Sequence, residues 1–393
     1  MKSQLLSAFA LLGLCSCGSA PAPQQEIVFG ELPAIATCDS GAVIIHTDRI
    51  DGEIDLTDPQ QCRFSFLELS SKGRNYIAGI TQLRVHDDRY YILDWKAEKL
   101  FIYDRQGNCL KKIDDRGRGP REYTGLLTFA IDSGWLWVQD RMMPQMLIYD
   151  LDGRFVKKIP RPINITDWTR FNGLMLSYYD PQQNRHTDLG STTLCVGTEH
   201  EVLRAGFQQI PLQKNPVGFK MFQRSWDPDE VLYLPPFSDS VYRFVDDSTC
   251  AVKYVIDHPH SIWKQQDRAL SFSEYMNGMQ EGKFTKLNAL FDGKDQLMFE
   301  ITEQGRVESY LYDKRHDRLY RIKDDYYISG EPLAVEGNRF IHTLGPDNWN
   351  YIKSRHQSGA RTISNPELLQ QVMKGDDDDN PALVFFEFNL PDE

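Results

Sequence analysis

The feature that most constrains this chain is a repeat. "LFIYDRQGNCLKKI", residues 100 to 113, aligns without a gap on "MLIYDLDGRFVKKI", residues 146 to 159, an offset of 46 residues. The match extends upstream, where "LRVHDDRYYILDW" (83 to 95) parallels "FAIDSGWLWVQDR" (129 to 141) at the same offset. Each copy holds four short segments rich in β-branched and aromatic residues, near 81–86, 90–94, 100–103 and 109–113 in the first. Between them lie turn sequences such as Asp104-Arg105-Gln106-Gly107, where glycine can take a positive φ. Strands so close in sequence pair antiparallel, so each copy is a four-stranded meander.

The third strand, Leu100-Phe101-Ile102-Tyr103, is apolar on both faces, which a single sheet cannot bury. Units of ~40–50 residues stacked around an axis bury both, as the blades of a β-propeller do. Weaker copies follow at 173–180 with 192–198, at 232–256 and at 310–322. From about residue 78 onward the chain has room for nearly seven such units, and insertions reduce this to six. Two inserts read as helices. "SFSEYMNGM" offers Ser271 and Glu274 as a capping box, and "NPELLQQVMKG" offers Asn365 as a cap and Pro366 at the first helical position. The strands at 62–69 and 382–388, from opposite ends, are suited to close the ring. The expected fold is all-β: a six-bladed β-propeller of four-stranded antiparallel blades with two short helical insertions, spanning 53–393.

The first residues, "MKSQLLSAFALLGLCSCGS", have Lys2, an apolar run from Leu5 to Leu14 and then small residues. That run is too short for a bilayer span, which takes ~20 residues, and reads as an export signal. Its end, Leu14-Cys15-Ser16-Cys17, resembles a bacterial lipobox. This implies a signal peptide over 1–16, acylation of Cys17 and a tether and lead-in over 17–52. The expected product is an exported, membrane-anchored lipoprotein of the outer membrane, on its periplasmic or cell-surface side. The five cysteines beyond Cys17 are odd in number and irregularly spaced, which is no disulfide framework. Cys38 and Cys62 are the closest pair, and two buried thiols are the expectation for them.

"EIDLTD", "FSFLEL", "DRQGNCLKKIDDRGRGPREY" and "NPALVFFEF" resemble the six-bladed β-propeller lipoproteins of Bacteroidetes, relatives of NHL-repeat propellers. The most specific element is the Gly-x-Gly-Pro-x-Glu-Tyr connector, Gly117 to Tyr123, with Arg121 where glycine is commoner. The resemblance implies the fold and the lipid anchor and carries no catalytic set.

In a meander, second-to-third strand links and blade-to-blade connectors share one face. Trp95, Arg116, Arg118, Arg121, Glu122, Tyr123 and Arg141 should therefore lie together as a candidate ligand-binding group. Guanidinium groups bind oxyanions bidentately and stack on aromatic rings, so a carboxylated or sulfated ligand would suit them. The alternative is that the glycines and Pro120 shape the connector while the charges are solvated. With 56 acidic against 44 basic residues, a formal charge of −12, nucleic acid is not an expected partner. "RGRGP" lacks the Lys-Ser/Thr and helix of a phosphate loop, and no GxSxG elbow occurs. His258 and His260 could share a strand face, but Pro259 favours a loop, and no metal or cofactor is expected. The Asp376–Asp379 run lacks calcium-loop spacing and reads as a solvated linker. Asp94 and Asp140, equivalent in successive blades, read as turn caps, although paired carboxylates could also hydrolyse glycosides. The expected function is a lipid-anchored envelope module that binds or scaffolds a glycan or protein ligand. The alternative is a carbohydrate- or peptide-active enzyme with its pocket at the axial mouth.

Overall fold

The computed structural model describes residues 27–390 apart from 162–164, 182–183, 209–219, 266–270, 324–330, 360–362 and 377–378. Six four-stranded antiparallel blades form a closed ring. Blade one comprises Gln82–His86, Arg89–Asp94, Lys99–Asp104 and Cys109–Ile113, each within two residues of its expected position. Blade two begins at Leu126, blade three at Asp167, blade four at Phe222, blade five at Lys286 and blade six at Ala334.

The repeat has a local cause. Asp104 Oδ1 accepts from the backbone N–H groups of Gln106 and Asn108, and Asp150 Oδ1 does the same for Asp152 and Arg154. Gly107 and Gly153 then take φ of 80° and 74°. At Gly107 a Cβ would also lie 2.1 Å from the Glu68 carbonyl oxygen, so the turn tolerates only glycine.

Packing explains why the third strand is apolar on both faces. Tyr90, Ile92, Phe101 and Tyr103 of blade one meet Ile341, Leu383 and Phe385 of blade six. On its other face Tyr91, Leu93, Leu100 and Ile102 meet Phe129, Leu136, Val138 and Leu147 of blade two. Around the axis, polar side chains join inner strands whose edges have no partner within their own blade. Gln82 bonds Phe129 N and O across blades one and two, Asp167 accepts from Met221 N and Phe222 N, and Gln223 accepts from Leu290 N.

Closure occurs where the sequence places it: Ala382–Phe388 pairs antiparallel with Cys62–Leu67, completing blade six. The lead-in does more than expected. Ile27 and Ala34 bridge to blade three. Ala36–His46 then adds as a parallel fifth strand on blade four, and Gly52–Asp55 as one on blade five. From residue 27 to 67 the chain is thus a belt around four consecutive blades, covering edges that would otherwise invite foreign strands.

Both expected helices form. α1 (Phe272–Gln280) has the Ser271–Glu274 capping box, and α3 (Pro366–Lys374) is capped by Asn365, whose side chain accepts from Leu368 N. A third, α2 (Pro346–Gln357), was not expected; it buries Trp349 and Ile352. α1 lies in a blade-to-blade connector, and α2 with α3 in the second-to-third link of blade six, so all three decorate the connector face. Among the described residues no helix is long and apolar enough to cross a membrane, which leaves β-barrel spanning unaddressed. Five cysteines, Cys38, Cys62, Cys109, Cys195 and Cys250, are free; Cys62 is buried as expected, whereas Cys38 is exposed.

Candidate functional site

On the connector face, the second-to-third links of blades one and two meet the connector between those blades. Their hub is Glu98, which the sequence reading did not single out. Its buried carboxylate accepts from Arg141 Nη2 at 2.7 Å and lies 2.8 Å from Arg116 Nε. Tyr123 is fully buried, and its hydroxyl donates to Glu98 O at 2.6 Å and lies 3.3 Å from Ile113 O. Burial pushes that phenol well above its ordinary pKa. Glu122 folds back on its own turn, accepting from Gly119 N at 2.7 Å, and a Cβ on Gly117 would come within 2.0 Å of its carboxylate. Trp95, Arg116, Arg118, Arg121 and Arg141 are exposed. Of the expected group, Arg116, Arg141 and Tyr123 meet at Glu98, while Glu122 shapes the connector through Gly119.

A cavity of about 380 Å³ occupies the axis, lined by the inner strands of blades one, two, three, four and six and by the first link of blade four. It opens toward first-to-second links, opposite to the connector face. Leu83, Ile131, Phe222, Val231 and Val335 supply apolar wall; Arg84, His86, Thr169, Ser225 and Asp227 supply polar groups; Trp226 stands at the rim, 39% exposed.

Several wall charges are held in fixed positions. Arg170 Nε donates to Asp132 at 3.2 Å, Nη2 donates to Gly173 O at 2.6 Å, and the guanidinium lies 4.1 Å over Trp137. Glu336 binds Arg105 at 2.8 Å and Arg339 at 2.7 Å. Glu230 accepts from Ser225 Oγ at 2.8 Å and from Lys253, which also reaches the fully buried Asp292 at 2.6 Å. Tyr254 donates to Asp292 at 2.8 Å and Lys314 completes the network. Burial holds the Lys314 ammonium below its ordinary pKa, and Asp292 offsets part of that. Such mutual pairing fixes side chains before any ligand arrives. The volume falls in the lower part of the range of small-molecule sites, roughly 300–1,000 Å³.

Other candidates resolve simply. His258 is buried, with Nδ1 on Thr285 Oγ1 and Nε2 3.1 Å from Asp239, while His260 is exposed. Among the described residues no group of three or more His, Cys, Asp or Glu could hold a metal. Asp94 accepts from Ala78 N and Ala97 N, and Asp140 from Thr124, Met142, Met143 and Gln145, so both are turn caps. Of the acidic run, Asp379 accepts from Asp376 N at 3.1 Å, and 377–378 lie outside the described residues. A further titratable group, Lys286 at the start of blade five's inner strand, is buried with its Nζ 5.9 Å from the Phe237 ring.

The family model described as "Domain of unknown function (DUF4934)" matches residues 63–387. The chain belongs to this family. Its fold is shared with a protein from Bacteroides fragilis described as exported, at 18% identity and a TM-score of 0.69, covering 89% of this chain and 99% of that one. A member of the DUF4221 family from Bacteroides vulgatus aligns at 9% identity and a TM-score of 0.50, covering 84% of this chain and 99% of that one. No curated protein matches the chain in sequence. These likenesses concern architecture; the chemistry rests on the cavity.

Proposed function

We propose that the protein is an exported, lipid-anchored module of the cell envelope that binds a saccharide-class ligand in its axial cavity. The observation that carries this reading is the cavity itself: an indole at the rim, apolar wall between the blades, and donors and acceptors already oriented by their own partners. A sugar ring presents apolar C–H faces and a fringe of hydroxyls that both donate and accept, which this mixed lining complements. Acid and base side chains of both signs, paired with one another, suit a neutral polyol better than a strongly charged ligand. The cavity takes precedence over the connector face because Glu98 already engages Arg116 and Arg141, and Tyr123 is buried. Anchoring through Cys17 rests on the lipobox-like sequence.

The test is calorimetric titration of envelope-derived oligosaccharides against the full chain and Trp226→Ala. At least one saccharide should bind, with affinity about tenfold weaker in the variant, since a rim aromatic in a small-ligand site contributes on the order of 1–2 kcal/mol. Chromatography of the same mixtures should show the saccharide unchanged. Cleavage would establish the enzymatic alternative, and no binding by any saccharide would overturn the reading.

A further inference from the structure

Around the mouth of the axial cavity, the seams between blades are not built alike. Arg89 and Tyr91 of blade one both donate to Leu151 O of blade two, at 3.1 and 3.0 Å. Phe171 packs against Phe244 between blades three and four, with ring centroids 6.0 Å apart. Blades four and five pair as parallel strands, Arg224–Ser225 with Phe291–Asp292, and Trp226 N donates to Asp292 O at 2.7 Å. Lys294 N donates to Gly337 O between blades five and six, and Arg105 bridges to Glu336 between blades six and one. The seam between blades two and three is bridged as well, by Arg170 with Asp132 beside the axis and by Lys157 with Glu199 farther out, but a void remains in it.

This second cavity measures about 20 Å³ and is walled by Met175 and Ser177, with Glu199 and Arg161 on its lining. Arg161 is 8% exposed, and its Nε and Nη1 have no hydrogen-bond partner among the described residues. A guanidinium buried without an acceptor is costly, so a polar occupant is favoured. The space suffices for a water or one hydroxyl, which needs roughly 10–15 Å³. The two cavities are linked through Arg170, which lines the axial one. Burial opposes ionisation of Glu199, yet its own backbone N–H, Lys157 and Arg170 hold that carboxyl below its ordinary pKa.

Trp135 stands over the same seam. It is the first residue of blade two's second strand, 40% exposed, and is paired in register with Asp132. Trp137, on the same side of the strand, carries the Arg170 guanidinium 4.1 Å from its ring centre, so Trp135 is turned toward blade three. With Trp226 it puts a second exposed indole on the mouth face. Charges of both signs alternate beneath it, Asp132 with Arg170 and Glu199 with Lys157. Asp150, opposite Trp135 in register, is committed to its own turn, and Glu201 stands exposed at the outer end. Such a balance suits an uncharged chain of hydroxyls.

We propose that the axial ligand is an oligosaccharide rather than a single sugar, and that it leaves the cavity along the seam between blades two and three. This rests on the saccharide reading above. One residue occupies the axis beside Trp226, and a following residue lays its C–H face on Trp135. Hydroxyls of the chain meet the Asp132–Arg170 and Lys157–Glu199 pairs, whose remaining lone pairs and N–H groups are held in place by the pairing itself. The small cavity takes one hydroxyl or an ordered water beside Arg161.

The experiment titrates size-separated fragments of bacterial envelope polysaccharide, from single residues to hexasaccharides, into the full chain by calorimetry. Affinity should rise about tenfold from single residues to the longer fragments, the contribution of one further aromatic face, and level off once the seam is filled. Trp135→Ala should remove that gain, bringing long fragments down to the affinity of single residues, and Trp135→Phe, which keeps an aromatic face, should restore most of it. Trp226→Ala should weaken every length. Affinity that does not grow with length overturns the seam and leaves the axial reading standing. So does a gain with length that survives Trp135→Ala, or a Trp135→Ala loss of equal size at every length. Binding by no fragment overturns the axial reading and this proposal with it.

Discussion

Replacing Lys286 with methionine tests the burial argument at its most quantitative point. The side chain is 6% exposed, and the neighbouring Phe237 belongs to the apolar cluster of Ile262, Tyr275, Met279 and Phe284. Burial lowers its pKa from 10.5 to about 7, although Glu331 works in the opposite direction. Between those two values the unfolded chain holds a proton that the native state does not, so wild-type stability rises with pH across that window. Below pH 7 the ammonium is present in both states and the cost of burying it is complete. Above about 10.5 both states are neutral and the cost is gone. A shift of this size corresponds to at most about 5 kcal/mol. Lys286→Met should therefore exceed the wild type in stability at pH 6 to 7 by some part of that figure, and the advantage should fade toward pH 10.5. Guanidinium titrations followed by tryptophan fluorescence at pH 6, 7, 8.5 and 10 would measure the difference, in which titrations common to both proteins cancel. An advantage that stays constant with pH, or grows as pH rises, would refute the reasoning.

Three further substitutions address the ring and the connector. Phe386→Ala removes a fully buried ring 5.7 Å from Phe340 and 5.6 Å from Phe388 in the closing blade. It should cost ~3–5 kcal/mol in denaturant melts, with hydrogen exchange accelerating first in residues 62–67. Tyr123→Phe leaves Glu98 O without its 2.6 Å donor and should cost about 1 kcal/mol; an unchanged midpoint would mean the hydroxyl serves elsewhere. Glu98→Gln weakens the hold on Arg116 and Arg141 and should lower stability by about 1–2 kcal/mol in denaturant melts; an unchanged midpoint would mean that this carboxylate does not brace the connector.

What could be read from the sequence was local chemistry repeated. Asp104 and Asp150 close identical turns, so the hairpins they define were visible, and the apolar third strand demanded neighbours on both faces. The closing partnership of 62–67 with 382–388 was visible because both segments are strongly strand-like and lie at opposite ends. α2 was not, since its N-cap is Gly345, with no side chain to bond the first turn, and only Trp349 and Ile352 mark its buried face. The belt was not, because Ala36–His46 is selected by an unpaired outer edge on Thr249–Asp257, more than 200 residues away.

The cavity shows the same limit more sharply. Arg84, Arg170 and Glu336 stand on inner strands of three different blades, and each alone reads as an ordinary strand-end charge. Ring closure brings them to one axis, so their meeting is a property of blade number, which the sequence yields only after the repeat has been counted. Tyr123 illustrates the converse. A tyrosine ending a glycine-rich connector looks available to a ligand, yet a buried phenol requires an acceptor, and Glu98 O supplies it from the neighbouring link. In a propeller, then, aromatic residues in connectors report on how blades lock together, whereas polar residues at the far ends of inner strands report on what the axis can bind.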